Sequence, residues 1–382
     1  MKVSMLAKSA AVALVFGLVA STPAHAVDLT GSGASFPNAL IQACKGAFST
    51  ASGHSFTYSD GGSGPGRTAS DNKIGDFWFS DAAHVGASKR ATVIHAPVIA
   101  APIAILHNLP SRQKLNLSAN TIAGIFAGTI TKWNDPKIAA DNNRTVNKVT
   151  YKTKNGQIVK DSKGDPIVLK STPVTLAYNN LPNKTIKVVY RSDSSGTSEN
   201  FTNYLNKSAP TVWTKAKSST FTSSFPGSIN SPENLGRIVG AQSSSGVSLL
   251  AGKTPYSITY AEVNWATANK LKIADVINPA GAAVTPNAVT TSAFLSQGTM
   301  DANGIMTFDY ATKEPGAYTL GIVSYMLVET DYADKTKAAA VKALASFILS
   351  PACALTAGAD LGFALVEGEF KKKAEAQIAK IG

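Results

Sequence analysis

The 382-residue sequence has few of the residue types that carry metal or nucleophilic chemistry. Its five histidines are dispersed, and none lies at a metal-binding spacing such as H-E-x-x-H. Only two cysteines are present, so we expect no zinc site. The sequence also has no G-x-S-x-G elbow, the motif of a triad hydrolase. We therefore expect no metal, no cofactor and no catalytic residue.

Charged residues are also scarce, at 16% of the chain, but their balance is strongly basic. The formal net charge is +12, and a basic surface attracts anions. The alternative is a basic balance unrelated to any ligand, as in many exported proteins. The lysines are scattered rather than interleaved with aromatic residues, which argues against a nucleic-acid partner.

No apolar run is long enough to span a bilayer comfortably, including the one near the start of the chain. Lys2 and Lys8 form a basic segment before the apolar run Ala10–Ala20. The sequence Ala24-His25-Ala26 is an A-x-A cleavage site. We expect residues 1–26 to be a signal peptide, so that the mature chain is exported and soluble.

The remaining residues, 27–382, are too many for one core and are typical of two domains. Strand-like segments alternate with helical ones, which predicts an α/β fold with largely parallel sheets. Two long apolar runs, residues 93–106 and 318–328, read as strands that cross between the domains. The cleft between two such domains is the natural ligand site.

The two crossings divide the mature chain into a discontinuous domain and a continuous one. We expect domain I to comprise residues 27–104 and 322–382, and domain II to comprise residues 105–321. Within domain II, residues 145–180 alternate in polarity between turn signals at Asn155-Gly156 and Lys163-Gly164. We expect an exposed β-hairpin or small meander there.

The two cysteines, Cys44 and Cys353, lie on helix-like segments near the two ends of the mature chain. Export permits a disulfide, and the cysteines are able to pair if both ends share a domain. The alternative is two buried free thiols.

The most informative segment is Arg191–Ser198, which follows a strand-like run and begins a helix-like one. Its arginine, hydroxyl groups and backbone N–H groups meet at a helix N-terminus, as in proteins that hold an oxyanion without a metal. The alternative is an ordinary capped helix after a turn.

Two further loops have the same character, Ser35-Phe36-Pro37 and Gly61–Gly66. The second resembles a nucleotide-binding loop, but that motif requires lysine where Arg67 stands. We therefore expect the Gly61–Gly66 loop to offer Ser63 and its N–H groups to an oxyanion.

Asp81 ends a strand-like segment and has two interpretations. The first is a cap for the turn at Ala82-Ala83. The second is a carboxylate in the anion site, which is useful only if the ligand has a proton to donate. Phosphate keeps a proton at neutral pH and sulfate does not, so such a group rejects sulfate by opposing two negative charges.

Taken in order, these motifs resemble the periplasmic phosphate-binding protein of phosphate ABC transporters, the PstS-like solute-binding protein family. The resemblance spans most of the mature chain and is most specific in the last loop and the tryptophan segment. It rests on the following segments: Thr30–Pro37, Tyr58–Gly66, Phe79-Ser80-Asp81, Thr121–Pro136, Arg191–Ser198, and Pro255, Ile258 and Tyr260.

The resemblance implies a two-domain periplasmic-binding-protein (Venus flytrap) fold of type II with two crossover strands. It implies a periplasmic monomer that binds inorganic phosphate and delivers it to a membrane permease. Carried over by position, Asp81 accepts the proton of phosphate, and Arg191 pairs with the anion and is held by Asp193. The implied donors are Ser35, the N–H of Phe36, Ser63, Ser195, Gly196 and Thr197.

The sequence departs from the family pattern at Trp78 and Phe79, where small residues are usual. We expect these two side chains to crowd the loop or reshape the cleft wall. Two other functions on the same scaffold stay open. One is a phosphatase, which needs a nucleophile or metal that we do not find. The other is a secreted adhesion or interaction protein, motivated by the segment 145–180.

Overall fold

A computed structural model describes residues 26–110, 113–154, 157–162, 165–177, 181–358 and 360–382. The expected signal peptide, apart from Ala26, lies outside these ranges, as do the expected turns at residues 155–156 and 163–164. Among the described helices, none combines the length and the hydropathy needed to cross a membrane.

The described chain alternates strands and helices throughout. The strands are β1 (Asp28–Gly33), β2 (Ser55–Ser59), β3 (Phe77–Ser80), β4 (Val93–Pro102), β5 (Ala104–His107), β6 (Asn116–Ser118), β7 (Thr145–Tyr151), β8 (Thr153–Lys154), β9 (Gln157–Ile158), β10 (Val168–Thr175), β11 (Lys187–Arg191), β12 (Ile238–Ala241), β13 (Ser257–Ala261), β14 (Lys272–Ile273), β15 (Asp275–Ile277), β16 (Ala283–Val284), β17 (Thr299–Met300), β18 (Met306–Thr307) and β19 (Gly321–Glu329). The helices are α1 (Asn38–Ser52), α2 (Ser63–Asp71), α3 (Ala119–Phe126), α4 (Pro136–Asn142), α5 (Gly196–Ser208), α6 (Phe221–Ser224), α7 (Ser243–Lys253), α8 (Asn264–Ala268), α9 (Ala288–Leu295), α10 (Lys335–Ile348) and α11 (Gly368–Ala379), with a π-helical turn at Ala352–Ala357.

Two five-stranded sheets with the same internal order organise the molecule. The first has the order β2-β1-β3-β19-β4, and the second has the order β12-β11-β13-β5-β14. In each sheet the fourth strand runs antiparallel to both of its neighbours. In each case that strand is the first one after a crossing: β5 enters the second sheet, and β19 re-enters the first. The predicted two-domain α/β fold is confirmed.

The crossings run side by side between the two sheets. The apolar run predicted as one strand is divided at Ile103 into β4, in the first sheet, and β5, in the second. The N–H of Ile103 donates to Leu320 O at 2.8 Å, immediately before β19 begins. Every residue of β19 is buried, which is typical of a strand covered on both faces.

The segment Ser231-Pro232-Glu233 has the pattern of a helix start and predicts a helix through Val239, but no helix forms there. Residues 231–237 form turns, and Val239 lies in β12. Gly236 adopts φ +67°, a left-handed conformation that interrupts a helix. Two residues later, Ile238 is buried and pairs with Val188 of β11. The end of the predicted helix therefore belongs to strand β12 of the second sheet.

The segment predicted as a hairpin or small meander contains two small antiparallel pairings. β7 pairs with β10, and the short strands β8 and β9 pair with each other. Tyr151, at the end of β7, is buried, and its hydroxyl group donates to the Glu314 carboxylate on the segment that leads to the return crossing. The inserted segment is thereby fastened beside the interdomain connections.

Of the two arrangements that the sequence left open for the cysteines, the structure has the disulfide. Cys44 on α1 is joined to Cys353 in the π-helical turn, with their Cα atoms 5.2 Å apart. Both residues are fully buried. The bond therefore ties the C-terminal segment to the helix that follows β1.

Candidate functional site

The residues predicted for the anion site meet where the two sheets face each other. Each parallel strand of the first sheet and of the second directs its carboxyl end toward this interface, the usual place for ligands in open α/β sheets. None of the following is more than 4% exposed: Ser35, Phe36, Ser63, Asp81, Arg191, Ser195 and Thr197. Gly196 is also buried. Hydrogen bonds and close approaches, direct or through Ser244, connect six of them: Ser35, Ser63, Asp81, Arg191, Gly196 and Thr197. Phe36 and Ser195 are adjacent in the chain to two of these six.

On the first-domain side, Ser63 begins helix α2 instead of lying in a loop. The preceding Gly62 has φ +109°, which other residues rarely adopt, and it allows the chain to turn into the helix. The hydroxyl oxygen of Ser63 accepts the N–H of Asp81 at 3.1 Å. The segment expected to be a loop, Gly61–Gly66, therefore supplies the first turn of α2.

On the second-domain side, Ser195 caps helix α5, and its Oγ accepts the N–H of Ser198 at 3.1 Å. A Cβ atom on Gly196 would lie 2.5 Å from Ser63 Oγ and 2.9 Å from the Cβ of Asp81. Only glycine permits this approach of the two domains. The α5 N-terminus, with its partial positive charge, therefore points directly at the first domain.

Arg191 ends β11, and its guanidinium group is fixed by Asp193 through two hydrogen bonds. Nε donates to Oδ1 at 2.7 Å and Nη2 to Oδ2 at 2.5 Å. Burial acts to lower the pKa of Arg191, but Asp193 outweighs it and keeps that pKa above its ordinary value. The remaining nitrogen, Nη1, faces Ser244 Oγ at 3.2 Å and Thr197 Oγ1 at 3.5 Å.

Asp81 is the only carboxylate among the predicted anion-contacting residues, and three hydroxyl groups surround it. Oδ1 accepts from Ser324 at 2.7 Å, and Oδ2 accepts from Thr197 at 3.1 Å and from Ser63 at 3.5 Å. Burial raises the pKa of Asp81 to about 6, although Ser324 and then Arg191 act to lower it. Residues 81–92 contain no helix, so the interpretation of Asp81 as the cap of a helical turn at Ala82-Ala83 is wrong.

Three polar residues that the sequence analysis did not single out complete the surroundings. Ser324 is a hydroxyl residue within the apolar strand β19, and Ser244 lies in the first turn of α7. Glu262 directly follows β13 and is 1% exposed, and its Oε1 lies within hydrogen-bond distance of Ser244 Oγ, at 2.9 Å. The sequence signal for Ser244 was present, because a hydroxyl-rich segment follows a strand here as it does at Arg191.

The two domains contact each other directly around the site. The hydroxyl of Thr197 donates across to Asp81, and the N–H of Gly64 donates to Ser194 O at 2.9 Å. Asn200 on α5 donates to the main-chain oxygen of Asp81 at 2.5 Å. These contacts describe a closed cleft. Beside it, a cavity of about 500 Å³ opens next to Asp81 and Asn200.

Trp78 and Phe79 lie in the core of the first domain rather than on the cleft wall. Both are at most 1% exposed, and the indole N–H of Trp78 donates to Ile74 O at 2.6 Å. The Phe79 ring packs edge-on against Tyr58, with ring centres 5.7 Å apart. The expectation that they crowd the loop or reshape the cleft is wrong, because β3 is covered on both faces and all its residues are buried.

The chain is similar to proteins of one functional class. The model of the PBP superfamily domain matches residues 19–352. Phosphate-binding protein PstS2 of Mycobacterium bovis (strain BCG / Pasteur 1173P2) is 31% identical over 332 residues, which cover 82% of this chain and 76% of the relative. Phosphate-binding protein PstS 3 of Mycobacterium tuberculosis (strain ATCC 25618 / H37Rv) is 30% identical over 362 residues, covering 91% and 82%.

A solved structure has the same fold. It is that of a high-affinity periplasmic phosphate-binding protein (PfluDING) bound with phosphate, and it is 22% identical to this chain. The TM-score is 0.63, with 91% of this chain and 93% of that chain covered.

Proposed function

The chain belongs to the PBP superfamily and, within it, to the family of PstS phosphate-binding proteins, and from this premise we propose that it binds inorganic phosphate between its two domains. It delivers the anion to the membrane permease of an ABC transporter for import. The observation that carries this proposal is the buried Asp81 carboxylate, set among hydroxyl donors opposite Arg191.

We assign the donors of the site to both sides of the cleft. Arg191 supplies charge through Nη1, the one guanidinium nitrogen that Asp193 does not occupy. The hydroxyl groups of Ser35, Ser63 and Thr197 and the N–H groups at the start of α5 supply directional hydrogen bonds. The N–H of Phe36 and the Ser195 segment complete the set. Dense donation of this kind offsets the cost of removing water from an anion.

The carboxylate sets the choice of anion. Asp81 accepts the proton of a protonated oxyanion, whereas sulfate, which has none, places a second negative charge against it. An ionised carboxylate and an anion opposed in a buried site repel each other by several kcal/mol.

The movement that admits and releases phosphate is a closure of two domains. We assign residues 27–104 with 322–382 to one domain and residues 105–321 to the other. The two sheets and the paired crossings at Ile103 and Leu320 support this division. The closed form, with its contacts from Thr197 and Gly64 across the cleft, is the state that the permease recognises.

The protein acts by binding and not as an enzyme, and it acts as an exported, periplasmic monomer after removal of residues 1–26. Its relatives are named phosphate-binding proteins. Neither the phosphatase nor the secreted interaction protein is favoured by an observation in the structure.

Calorimetric titration of the mature protein, freed of phosphate, tests the proposal. We expect one phosphate per chain and no detectable heat from sulfate at the same concentrations. A chromogenic phosphate ester is expected to remain uncleaved in the same preparation. Absence of phosphate binding, or equal binding of sulfate, would contradict the proposal.

A further inference from the structure

Three side chains behind the proposed phosphate site form a chain of hydrogen bonds that reaches into domain II. Ser35 Oγ lies 3.3 Å from Ser244 Oγ, and Ser244 Oγ lies 2.9 Å from Glu262 Oε1. All three residues are at most 4% exposed. One end of the chain is therefore a hydroxyl group at the proposed site, and the other end is a buried carboxyl group.

The other hydrogen-bond partners of the two serine hydroxyl groups leave only two directions in which these linked hydrogen bonds can run. Each hydroxyl has one proton and two lone pairs. Ser35 Oγ already accepts the N–H of Ser244 at 3.2 Å, and Ser244 Oγ already accepts Nη1 of Arg191 at 3.2 Å. One lone pair remains on each oxygen, so each hydroxyl accepts once more from one side and donates to the other.

With a neutral Glu262, the chain runs toward the anion. A proton on Oε2 would have no hydrogen-bond partner among the described residues, so the carboxyl proton lies on Oε1 and donates to Ser244 Oγ, whose lone pairs are then filled. The Ser244 hydroxyl donates to Ser35 Oγ, whose lone pairs are then also filled. The proton of Ser35 has no partner left within the chain and is directed at phosphate.

With an ionised Glu262, the chain runs the other way. The Ser244 hydroxyl donates to the carboxylate. The Ser35 hydroxyl donates to Ser244 Oγ, so the hydrogen bond between the two serines is reversed. Ser35 then presents a lone pair to phosphate, which removes one donor and adds repulsion.

We propose that Glu262 is a positioning residue for phosphate binding, which acts through Ser244 to set whether Ser35 offers a proton or a lone pair to the anion. This inference rests on the proposed function and adds to it a control by proton concentration.

The surroundings of Glu262 place this change in the alkaline range. The pKa of Glu262 is raised to about 8, chiefly by burial and in small part by the charge of Asp81. Its own backbone N–H, Ser244 and Arg191 act to lower that pKa. Tyr260, on the same strand end, has a pKa raised to about 12 by burial and stays neutral. Within the part of the chain that the structure describes, Glu262 Oε2 has no hydrogen-bond partner, which disfavours the charged form.

The test is the phosphate dissociation constant of the mature protein and of Glu262→Gln, measured by calorimetry at about pH 7 and about pH 9.5. The two proteins are compared at each pH, so that the ionisation of phosphate and of Asp81 cancels. We expect them to agree within about threefold at pH 7. At pH 9.5 we expect the wild type to bind about tenfold or more weakly than Glu262→Gln, because a donor to a charged group is lost.

Two further variants distinguish an effect of the hydrogen bonds that link Glu262, Ser244 and Ser35 from a general effect of high pH. Ser244→Ala removes the hydroxyl group between Glu262 and Ser35 while keeping Glu262. We expect this variant to lack the additional weakening of phosphate binding above about pH 8. Asp275→Asn changes an equally buried carboxylate that is paired with Lys114, and it is expected to keep the wild-type pH profile. Melting temperatures at each pH verify that all proteins are folded.

The inference is overturned if the wild type and Glu262→Gln show the same pH profile, if Ser244→Ala keeps the wild-type profile, or if Asp275→Asn flattens it as much as Glu262→Gln. A wild-type protein that does not bind phosphate at pH 7 would instead contradict the proposed function.

Discussion

Asp81 is the residue on which the choice between oxyanions depends. Among the described residues, its two oxygens accept only from hydroxyl groups. A further proton donor on the ligand is therefore compatible with Asp81, and a further negative charge is not. In Asp81→Asn the amide retains an oxygen that accepts and gains an N–H that donates to sulfate. We expect the ratio of phosphate to sulfate affinity to fall by about a hundredfold or more, with a smaller loss of phosphate affinity itself.

Competition of sulfate against bound phosphate measures this ratio. Asp141→Asn is a suitable control, because Asp141 is also buried but accepts the N–H of Ser118 at 2.7 Å, outside the site. Sulfate that competes equally well against the wild type and Asp81→Asn would remove Asp81 from the proposed role.

At the same scale, some site residues are recognisable in the sequence and others are not. Ser35 and Asp81 each follow a strand end, and Arg191 is the last residue of a strand. Parallel strands bring such ends together. Glu262 follows a strand end as well, but a single acidic residue after an apolar segment has many ordinary explanations. Its importance comes from its contact with Ser244, which no sequence spacing expresses.

Among the elements, helix α5 can approach the first domain only if its first residue, Gly196, has no side chain. A Cβ at Gly196 would lie 2.5 Å from Ser63 Oγ and 2.8 Å from the backbone nitrogen of Ala82. We expect Gly196→Ala to hinder closure and to weaken phosphate binding by about tenfold or more in a titration. The free energy of unfolding should change little in the open form, where this contact is absent.

Gly46→Ala in helix α1 is the matched control for this prediction. A Cβ at Gly46 meets nothing within 4 Å, and alanine is favoured over glycine inside a helix. We expect unchanged phosphate affinity and a gain of about 0.5 to 1 kcal/mol in the free energy of unfolding. Equal affinity in Gly196→Ala and Gly46→Ala would show that closure does not require the contact at α5.

Element boundaries are predictable from the sequence where an apolar pattern and a cap coincide. Ser118 before Ile122 and Asp135 before Pro136 each mark a helix start that the structure has. The pattern fails where glycine is part of an element. Helix α2 includes glycines that read as a loop. The structure uses them for close approach, because a Cβ on Gly64 would meet Ser194 and a Cβ on Gly66 would meet Gly33 and Phe79 O.

For the molecule as a whole, the disulfide between Cys44 and Cys353 joins segments 309 residues apart. Such a link stabilises mainly by restricting the unfolded chain. We expect the double variant Cys44→Ala and Cys353→Ala to lose about 3 to 5 kcal/mol of unfolding free energy in a urea titration. Phosphate affinity should be retained where the variant is folded, because neither cysteine contacts the site. A loss of binding by the folded variant would contradict this separation.

The buried ionisable groups predict a stability maximum at about pH 6 for the protein without phosphate. Burial lowers the pKa of His95 to about 4 and that of His107 to about 3, from 6.5. The unfolded chain therefore binds more protons below pH 6.5, and stability falls as the pH decreases. Burial raises the pKa of Glu262 to about 8 and that of Asp81 to about 6. For these carboxyl groups the folded state binds more protons, so their contribution is present at low pH and is lost as the pH rises through those values.

Between about pH 7 and 8 the histidines of the unfolded chain bind few protons, so they contribute little slope and Glu262 dominates. Stability should therefore decrease with pH across this window in the wild type and stay nearly level in Glu262→Gln. Urea titrations of phosphate-free protein at several pH values measure both curves. His107→Gln is expected to leave the decline above about pH 7 intact while reducing the acid-side loss. If Glu262→Gln retains the full decline, Glu262 is already ionised in the folded protein at about pH 7, and the direction assigned to its hydrogen bonds is wrong.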